Sequence, residues 1–576
     1  MLKLLRLLRK YKKETILAPT FKLLEALFEL FVPLVIAKII DIGIAESDKL
    51  YIVKMAAIMV VLSLVGFAAS VTAQYFSAKA SVGFATKIRS KLFTTIMQMS
   101  YTDLDRSGTS SLITHMTSDI NQIQTGTNLT LRLFMRSPCI VFGAMIMAFT
   151  INVRLALIFT AMIAVLSAVV FAIILGSVPL YKKAQILLSS VTGNVRENIG
   201  GARIIRGFRM EESEKESFNI NSEKLEKSQK FVGRITALMN PLTYLIVNGA
   251  IMLLIYRGAI NVKLGNLSQG EVIALYNYMT QILVELVKLA NLIITITKAI
   301  ACGQRVQAVI DSVNGEFRSS EHSESIIGCP KVEFKNVSFK YASAGENSLT
   351  NISFSVKAGD TVGIIGATGS GKTTLVNLIP AFYDVTEGEI LIDGVNVSEI
   401  DRIELRKRFG IVPQTATLVK DSLRDNLNWR DSEASDEEIM NIAKLACVDK
   451  VILDKKDGLD SYSDQMGKNF SGGQRQRLTV ARALVGKPEI LILDDSSSAL
   501  DYATDAALRR AIRTLPYEHT TFIVSQRTSA ILDADKIIVL DDGEIIGIGT
   551  HKELYNDCMT YREIHDLQFS GSGFGD

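Results

Sequence analysis

At 576 residues the chain is several times longer than a typical domain of roughly 100–200 residues, so two or more domains are expected. Hydrophobic residues make up 48% and charged residues 21%, a balance that excludes a disordered or collagen-like chain. The net charge is only +3, from 63 basic and 60 acidic side chains, which excludes a strongly basic surface recruiting nucleic acid.

The apolar residues are concentrated in the first half. Residues 16–40, 52–77, 131–151, 155–178, 237–256 and 272–299 are mostly apolar. A helix rising 1.5 Å per residue needs about 20 such residues to cross about 30 Å of hydrocarbon. Six spans are therefore predicted, and none after residue 310. The basic start (Lys3, Arg6, Arg9, Lys10, Lys12, Lys13) raises the alternative of a cleaved signal peptide. Signal h-regions run about 7–15 residues, whereas this stretch is longer and carries Glu25 and Glu29, so a retained span is expected.

The connections at 41–50, 152–154 and 256–270 are short and poor in basic residues, whereas 78–130 and 179–235 are long and rich in Lys and Arg. The positive-inside rule puts the long ones, and both termini, in the cytoplasm. Loops of that length without Pro/Gly clusters read as helices that continue past the membrane and turn back. Half of such a loop reaches roughly 35–40 Å. The midpoints fall near 105–111 and 203–209, with Gly108 and the pair Gly200, Gly201 where the chain has to bend. Two cytoplasmic hairpin tips are predicted.

Beyond 328–330 the texture changes. Short β-like runs at 332–341, 352–356, 361–365, 389–392 and 490–493 alternate with glycine turns and helical stretches, the pattern of an α/β domain with parallel sheet. Residues 366–373, GATGSGKT, fit GxxxxGK[ST] directly after an apolar strand and before a helix. In that context the loop N–H groups converge on phosphate oxygens, Lys372 reaches the terminal phosphates, and Thr373 offers its hydroxyl to Mg²⁺. The apolar strand 490–493 ends in Asp494, where a phosphate-loop protein holds its magnesium. Just before it, FSGGQRQR at 470–477 forms a second anion-binding helix start. Two such sites make sense if two copies sandwich two nucleotides, each lending its second site to the other. The five cysteines (Cys139, Cys302, Cys329, Cys447, Cys558) are scattered without a CxxC pair, which reads as reduced structural thiols.

On these motifs the chain resembles an ATP-binding cassette (ABC) exporter half-transporter over nearly its whole length. Tyr341 matches the aromatic residue that stacks on adenine. The Walker A loop is 366–374, with Gly366, Thr368, Gly369, Ser370, Gly371, Lys372, Thr373 and Thr374 expected around the nucleotide. Gln414, in Val-Pro-Gln, matches the Q-loop, and Ser471, Gly472, Gly473 and Gln474 match the signature, with Phe470 for the usual leading Leu. Asp494 matches Walker B, and 498–501 match the D-loop with its Asp501. The resemblance implies ATP and Mg²⁺, the metal near Thr373, Gln414 and Asp494. It also implies two chains per transporter and a fold of six membrane helices with long cytoplasmic hairpins followed by an α/β P-loop ABC domain. The expected division is a transmembrane domain at 1–315, a linker at 316–330, the ATPase domain at 331–568 and a flexible tail at 569–576.

The departures are informative. The catalytic position after Walker B, usually Glu, is Asp495, one methylene shorter, in a geometry that matters at the ångström level. The switch histidine is replaced by Gln526, which can hydrogen-bond a phosphate but carries no titratable proton. Gln465 stands before the signature where Glu is common. Losing a positioned base costs about 10²–10⁴-fold in rate. The pattern resembles the degenerate-site subunit of bacterial heterodimeric multidrug exporters, which places the chain in the bacterial cytoplasmic membrane with a different partner half-transporter. The alternatives are a slow homodimer, a lipid or lipopeptide flippase, and a non-hydrolysing ATP sensor.

The cargo is less legible. Glu25 and Glu29 share one face of the first span near Lys22, and Glu285 pairs with Lys288 in sequence on the sixth. Ionisable groups at membrane depth face a cavity or one another, and both a structural pairing and a substrate contact stay open.

Overall fold

The computed structural model describes residues 2–312, 328–342, 344–496 and 500–569. The chain forms two compact units, one of Met1–Met97 with Ser110–Asp311, the other of Gln98–Thr109 with Ser312–Asp576. The linker 316–327, Ser498, Ala499 and the tail 570–576 lie outside the described residues.

The first unit is all-helical. Among the described residues, five helical stretches, Lys49–Met97, Thr109–Ile151, Val153–Gly200, Glu211–Lys263 and Gln269–Ser312, are long and apolar enough to cross a membrane. The expected first span lies in helix Lys12–Lys38, which is long enough at 27 residues. By composition it falls short of the other five because Lys22, Glu25 and Glu29 interrupt it. Helix Lys49–Met97 has 49 residues, about 74 Å at 1.5 Å per residue, more than twice a bilayer's hydrocarbon. Its excess length forms the first arm, as Val153–Gly200 and Glu211–Ala237 form the second.

Small residues let these helices approach closely. Ala26, Ala144, Ala148 and Ala274 are fully buried together around Tyr278, as in membrane helix packing generally. The buried Tyr278 hydroxyl donates to the Leu30 carbonyl at 2.6 Å. At the start of helix Gln269–Ser312 the Asp41 carboxylate accepts from Gly270 N at 2.7 Å and from the Ser268 hydroxyl at 2.5 Å.

The first arm turns through helix Tyr101–Ser107, capped at its start by Ser100 and ended by Gly108 at φ +70°. This turn belongs to the second unit, whereas the sequence assignment put 98–109 with the membrane helices. The reason is local packing: Tyr101 stacks on Phe382 at 4.5 Å, and the Tyr383 hydroxyl donates to Asp105 at 2.8 Å. The second arm turns through Ala202–Gly207, where Ile204 and Phe208 are 66% and 77% exposed.

The second unit contains two sheets. β1 (Val332–Phe339), β2 (Leu349–Val356), β4 (Glu387–Ile392) and β5 (Val395–Asn396) form an antiparallel sheet in the order β2-β1-β4-β5. β3 (Thr361–Gly366), β6 (Phe409–Val412), β7 (Ile490–Asp494), β8 (Thr520–Val524), β9 (Lys536–Asp541) and β10 (Glu544–Gly549) form the other, in the order β10-β9-β3-β8-β7-β6. All its pairings are parallel except β9 with β10. β7 and β8 are buried at every position, as strands covered on both faces must be. Side by side, β3, β8 and β7 bring their C-terminal ends to one edge, where a parallel sheet collects its site.

Candidate functional site

β3 leads into the loop 366–371 and helix Lys372–Leu378. Two glycines are forced by geometry. A Cβ on Gly366 would sit 2.0 Å from the Leu540 carbonyl, and Gly371 caps the helix at φ +91° with Leu349 only 2.7 Å from where its Cβ would be. Lys372 folds back along the loop and donates from Nζ to the Gly366 carbonyl at 2.9 Å and the Ala367 carbonyl at 2.6 Å. Burial lowers its pKa, with Asp495 and Asp494 pulling the other way.

At the end of β7 the Asp494 carboxylate accepts from the Thr373 hydroxyl at 3.0 Å. Burial raises the Asp494 pKa despite that bond. Asp495 follows at φ +46°, a left-handed conformation that Asp tolerates better than most side chains. Burial raises its pKa too, opposed by a hydrogen bond from Gln414 and by the charges of Arg527 and Lys372.

Tyr341, Thr368, Gly369, Gly371, Lys372, Thr373, Thr374, Gln414, Asp494, Asp495 and Gln526 all line one cleft of about 440 Å³. Gly366 and Ser370 support its floor, and Ser370 is itself buried. The Tyr341 hydroxyl lies 3.1 Å from the Thr374 hydroxyl, and its ring packs edge-on against Phe339 and Tyr383. Gln526 is exposed at the rim. Sequence reasoning missed Asn347, Ser348, Asp542 and Gly543, which close the cleft from turns that carry no motif.

The remaining expected residues do not line this cleft. Ser471 caps helix Gly472–Leu484 in a reciprocal box: Gln474 N donates to the Ser471 hydroxyl at 3.3 Å, and Ser471 N donates to Gln474 Oε1 at 2.9 Å. Gly472 and Gly473 open that first turn, while Phe470 is buried in the core with Lys455 over its ring at 4.9 Å. Asp501 caps helix Tyr502–Arg513 by accepting from Thr504 N at 3.0 Å. These groups present a second set of helix N-termini away from the chain's own phosphate loop.

The donor set suits a nucleotide with a divalent cation. Lys372 and the loop amides match phosphate, and the adjacent Thr373 hydroxyl and Asp494 carboxylate are hard oxygen donors of the kind Mg²⁺ takes. Gln414 donates to the Asp495 carboxylate, which leaves its amide oxygen as a third donor toward the metal.

In the membrane unit, Glu25, Glu29 and Glu285 belong to one network. Arg136 donates to Glu285 at 2.5 Å and to Glu29 at 2.6 Å, and its Nε lies 3.9 Å from Glu25. Glu285 also accepts from Ser137 at 2.7 Å and Lys288 at 2.8 Å, and Glu25 accepts from Lys22 at 2.5 Å. The Glu285–Lys288 pair legible in sequence is therefore secondary to a buried arginine from another helix.

Apolar helices fused to a P-loop cleft at a parallel sheet edge define an ATP-driven membrane transporter. Residues 15–286 match the family model of the ABC transporter transmembrane region, and 349–498 that of the ABC transporter. The chain is 35% identical over 574 residues to an ABC transporter ATP-binding protein, YfiB, of Bacillus subtilis, covering 100% of this chain and 99% of that one. It is 32% identical to an ATP-dependent lipid A-core flippase of Syntrophus aciditrophicus, over 85% of this chain and 81% of the flippase. A solved bacterial Atm1-family ABC exporter with ATP bound superposes with a TM-score of 0.82 at 23% identity, covering 99% of both chains. The chain belongs to the ABC transporters: it is an exporter-type half-transporter with the membrane region and the ATP-binding domain on one polypeptide, and its fold is that of the Atm1-family exporter.

Proposed function

We propose that this chain is one subunit of a heterodimeric exporter in the bacterial cytoplasmic membrane, moving hydrophobic or amphipathic compounds of the multidrug type outward. Its own Walker A cleft is the slow site, and its signature 471–474 closes over the partner's nucleotide. The observation that carries this reading is the pair Asp495 and Gln526 in one cleft with otherwise complete phosphate-binding machinery. Asp495 projects a carboxylate one methylene short of the usual base, and Gln414 holds that carboxylate. Gln526 offers hydrogen bonds but no proton relay.

In this reading Lys372 and the loop 366–371 bind the β- and γ-phosphates and Tyr341 carries the adenine. Thr373, Asp494 and Gln414 would hold Mg²⁺, which when bound neutralises charge on the phosphates. The exposed Ile204 and Phe208 on the second arm suit docking on a partner chain. Closing two such domains on ATP draws the arms together, and the membrane helices switch from inward- to outward-facing. In this reading both termini lie in the cytoplasm and the six spans begin with 16–40, whose Glu25 and Glu29 are matched by Arg136.

The likeness to lipid A-core flippases supports a second reading, in which the cargo is a lipid. Dye efflux and lipid translocation, each with and without ATP depletion in cells expressing the chain with a neighbouring half-transporter, separate the two. Efflux of cationic and neutral dyes that stops on depletion supports the multidrug reading, and lipid movement alone supports the flippase.

A further inference from the structure

The membrane unit holds a pocket of about 270 Å³ between helices Lys12–Lys38 and Gln269–Ser312. Val32, Ile36 and Val284 give it apolar wall, and Glu29, Gln281 and Lys288 give it polar wall. Behind it, three bases (Lys22, Arg136, Lys288) match three acids (Glu25, Glu29, Glu285) in a connected network. That balance leaves no surplus charge to receive a singly charged ligand, and an unmatched charge at membrane depth is costly.

Two members of the network are only half used. The Glu29 and Lys288 side chains are 40% and 43% exposed, each tied on its inner side, Glu29 to Arg136 and Lys288 to Glu285. Gln281 Oε1 is buried without a donor among the described residues. Glu29 thus offers spare lone pairs, Lys288 spare N–H groups, and Gln281 an acceptor. A head group with only hydroxyls could bond all three groups but brings no charge to either exposed end, where a fully charge-matched hydrogen bond is about twice as strong. A lone cation or anion would pair one end and leave the other.

We propose that this pocket binds the head group of a zwitterionic amphiphile, its ammonium toward Glu29 and Gln281 and its anionic oxygens toward Lys288, with the chain along Val32, Ile36 and Val284. This deepens, and rests on, the reading of the protein as an exporter of amphipathic compounds.

The test uses the full chain, nucleotide-free, in phosphatidylglycerol nanodiscs, with three probes: lysophosphatidylethanolamine, dodecylammonium and dodecyl sulfate. The zwitterion is expected to bind at least about tenfold more tightly than either single-charge probe. Lys288→Met and Glu29→Gln are each expected to weaken it about tenfold, the scale of one charge-assisted hydrogen bond, and Lys288→Arg to restore it. Lys288→Met leaves Glu285 bonded to Arg136 and Ser137, so it is the variant to rely on if Glu29→Gln fails to fold. Equal affinity for the three probes, or zwitterion binding untouched by Lys288→Met in a chain that melts at the wild-type temperature, overturns the proposal. ATP-dependent flux of the same probes is read separately. Flux without zwitterion preference defeats the pocket and leaves the exporter, whereas selective binding without any flux defeats the exporter and leaves the pocket.

Discussion

Gln568 holds Thr528. The buried Thr528 donates from its backbone N at 2.8 Å and its hydroxyl at 2.9 Å to the one oxygen Oε1, while Gln568 Nε2 donates to the Gln526 carbonyl at 2.7 Å. The last helix, Met559–Phe569, thereby fixes the loop that presents Gln526 to the nucleotide cleft. Gln568→Ala strands a buried N–H, at about 1–3 kcal/mol. Amide exchange over 526–528 is expected to speed up by about 5–150-fold, read by exchange mass spectrometry. Gln568→Glu keeps the Thr528 acceptor and should show a smaller effect.

Asp494 gives a pH-dependent effect of known sign. Its pKa in the fold lies above the ordinary 3.8 because burial disfavours the charge. The nucleotide-free fold therefore binds more protons than the unfolded chain just above that value, and its contribution to stability falls as pH rises through the window, then levels off. Asp494→Asn removes the buried charge while keeping an acceptor for Thr373. Its melting temperature without nucleotide at pH 7 should exceed wild type by about 2–4 °C per kcal/mol relieved, and stabilisation by Mg-ATP should shrink.

Arg136 ties three helices through Glu285, Glu29 and Glu25. Arg136→Ala leaves three carboxylates, Glu285 among them only 3% exposed, facing two lysines, a loss of about 3–5 kcal/mol. Monodisperse protein after detergent extraction should fall sharply. Arg136→Lys, which cannot bridge as a fork, should recover only part of it.

Asp495→Glu extends the carboxylate by one methylene. The backbone there sits at φ +46°, which suits Asp better than Glu, so some stability is expected to be lost. Turnover in this cleft is nevertheless expected to rise about tenfold or more, measured as phosphate release with the partner's site blocked. An unchanged rate would remove the reach argument.

The phosphate loop, Walker B and signature were legible because each packs its chemistry into a few consecutive residues. The strands at 361–365 and 490–493 were legible because both faces are buried and the runs are uninterrupted. The ion network was only half legible: Lys22 and Glu25 are one helical turn apart, but Arg136 lies 107 residues from Glu29 and 149 from Glu285. No periodicity encodes a partner at such a distance. Gln568 was missed for the same reason, since its role exists only once β8 and the last helix are packed. The turn Tyr101–Ser107 was located by length and by Gly108, yet its membership of the second unit depends on Tyr101 meeting Phe382.

The most direct measurement is the steady-state ATPase rate of this chain purified alone, in nanodiscs at saturating Mg-ATP. The median enzyme turns over at about 10 s⁻¹, and a lost base removes about 10²–10⁴-fold. The chain alone should therefore stay below about 0.1 s⁻¹ and rise only when a second half-transporter with an intact catalytic Glu is co-purified. Several turnovers per second from this chain by itself would contradict the heterodimeric assignment.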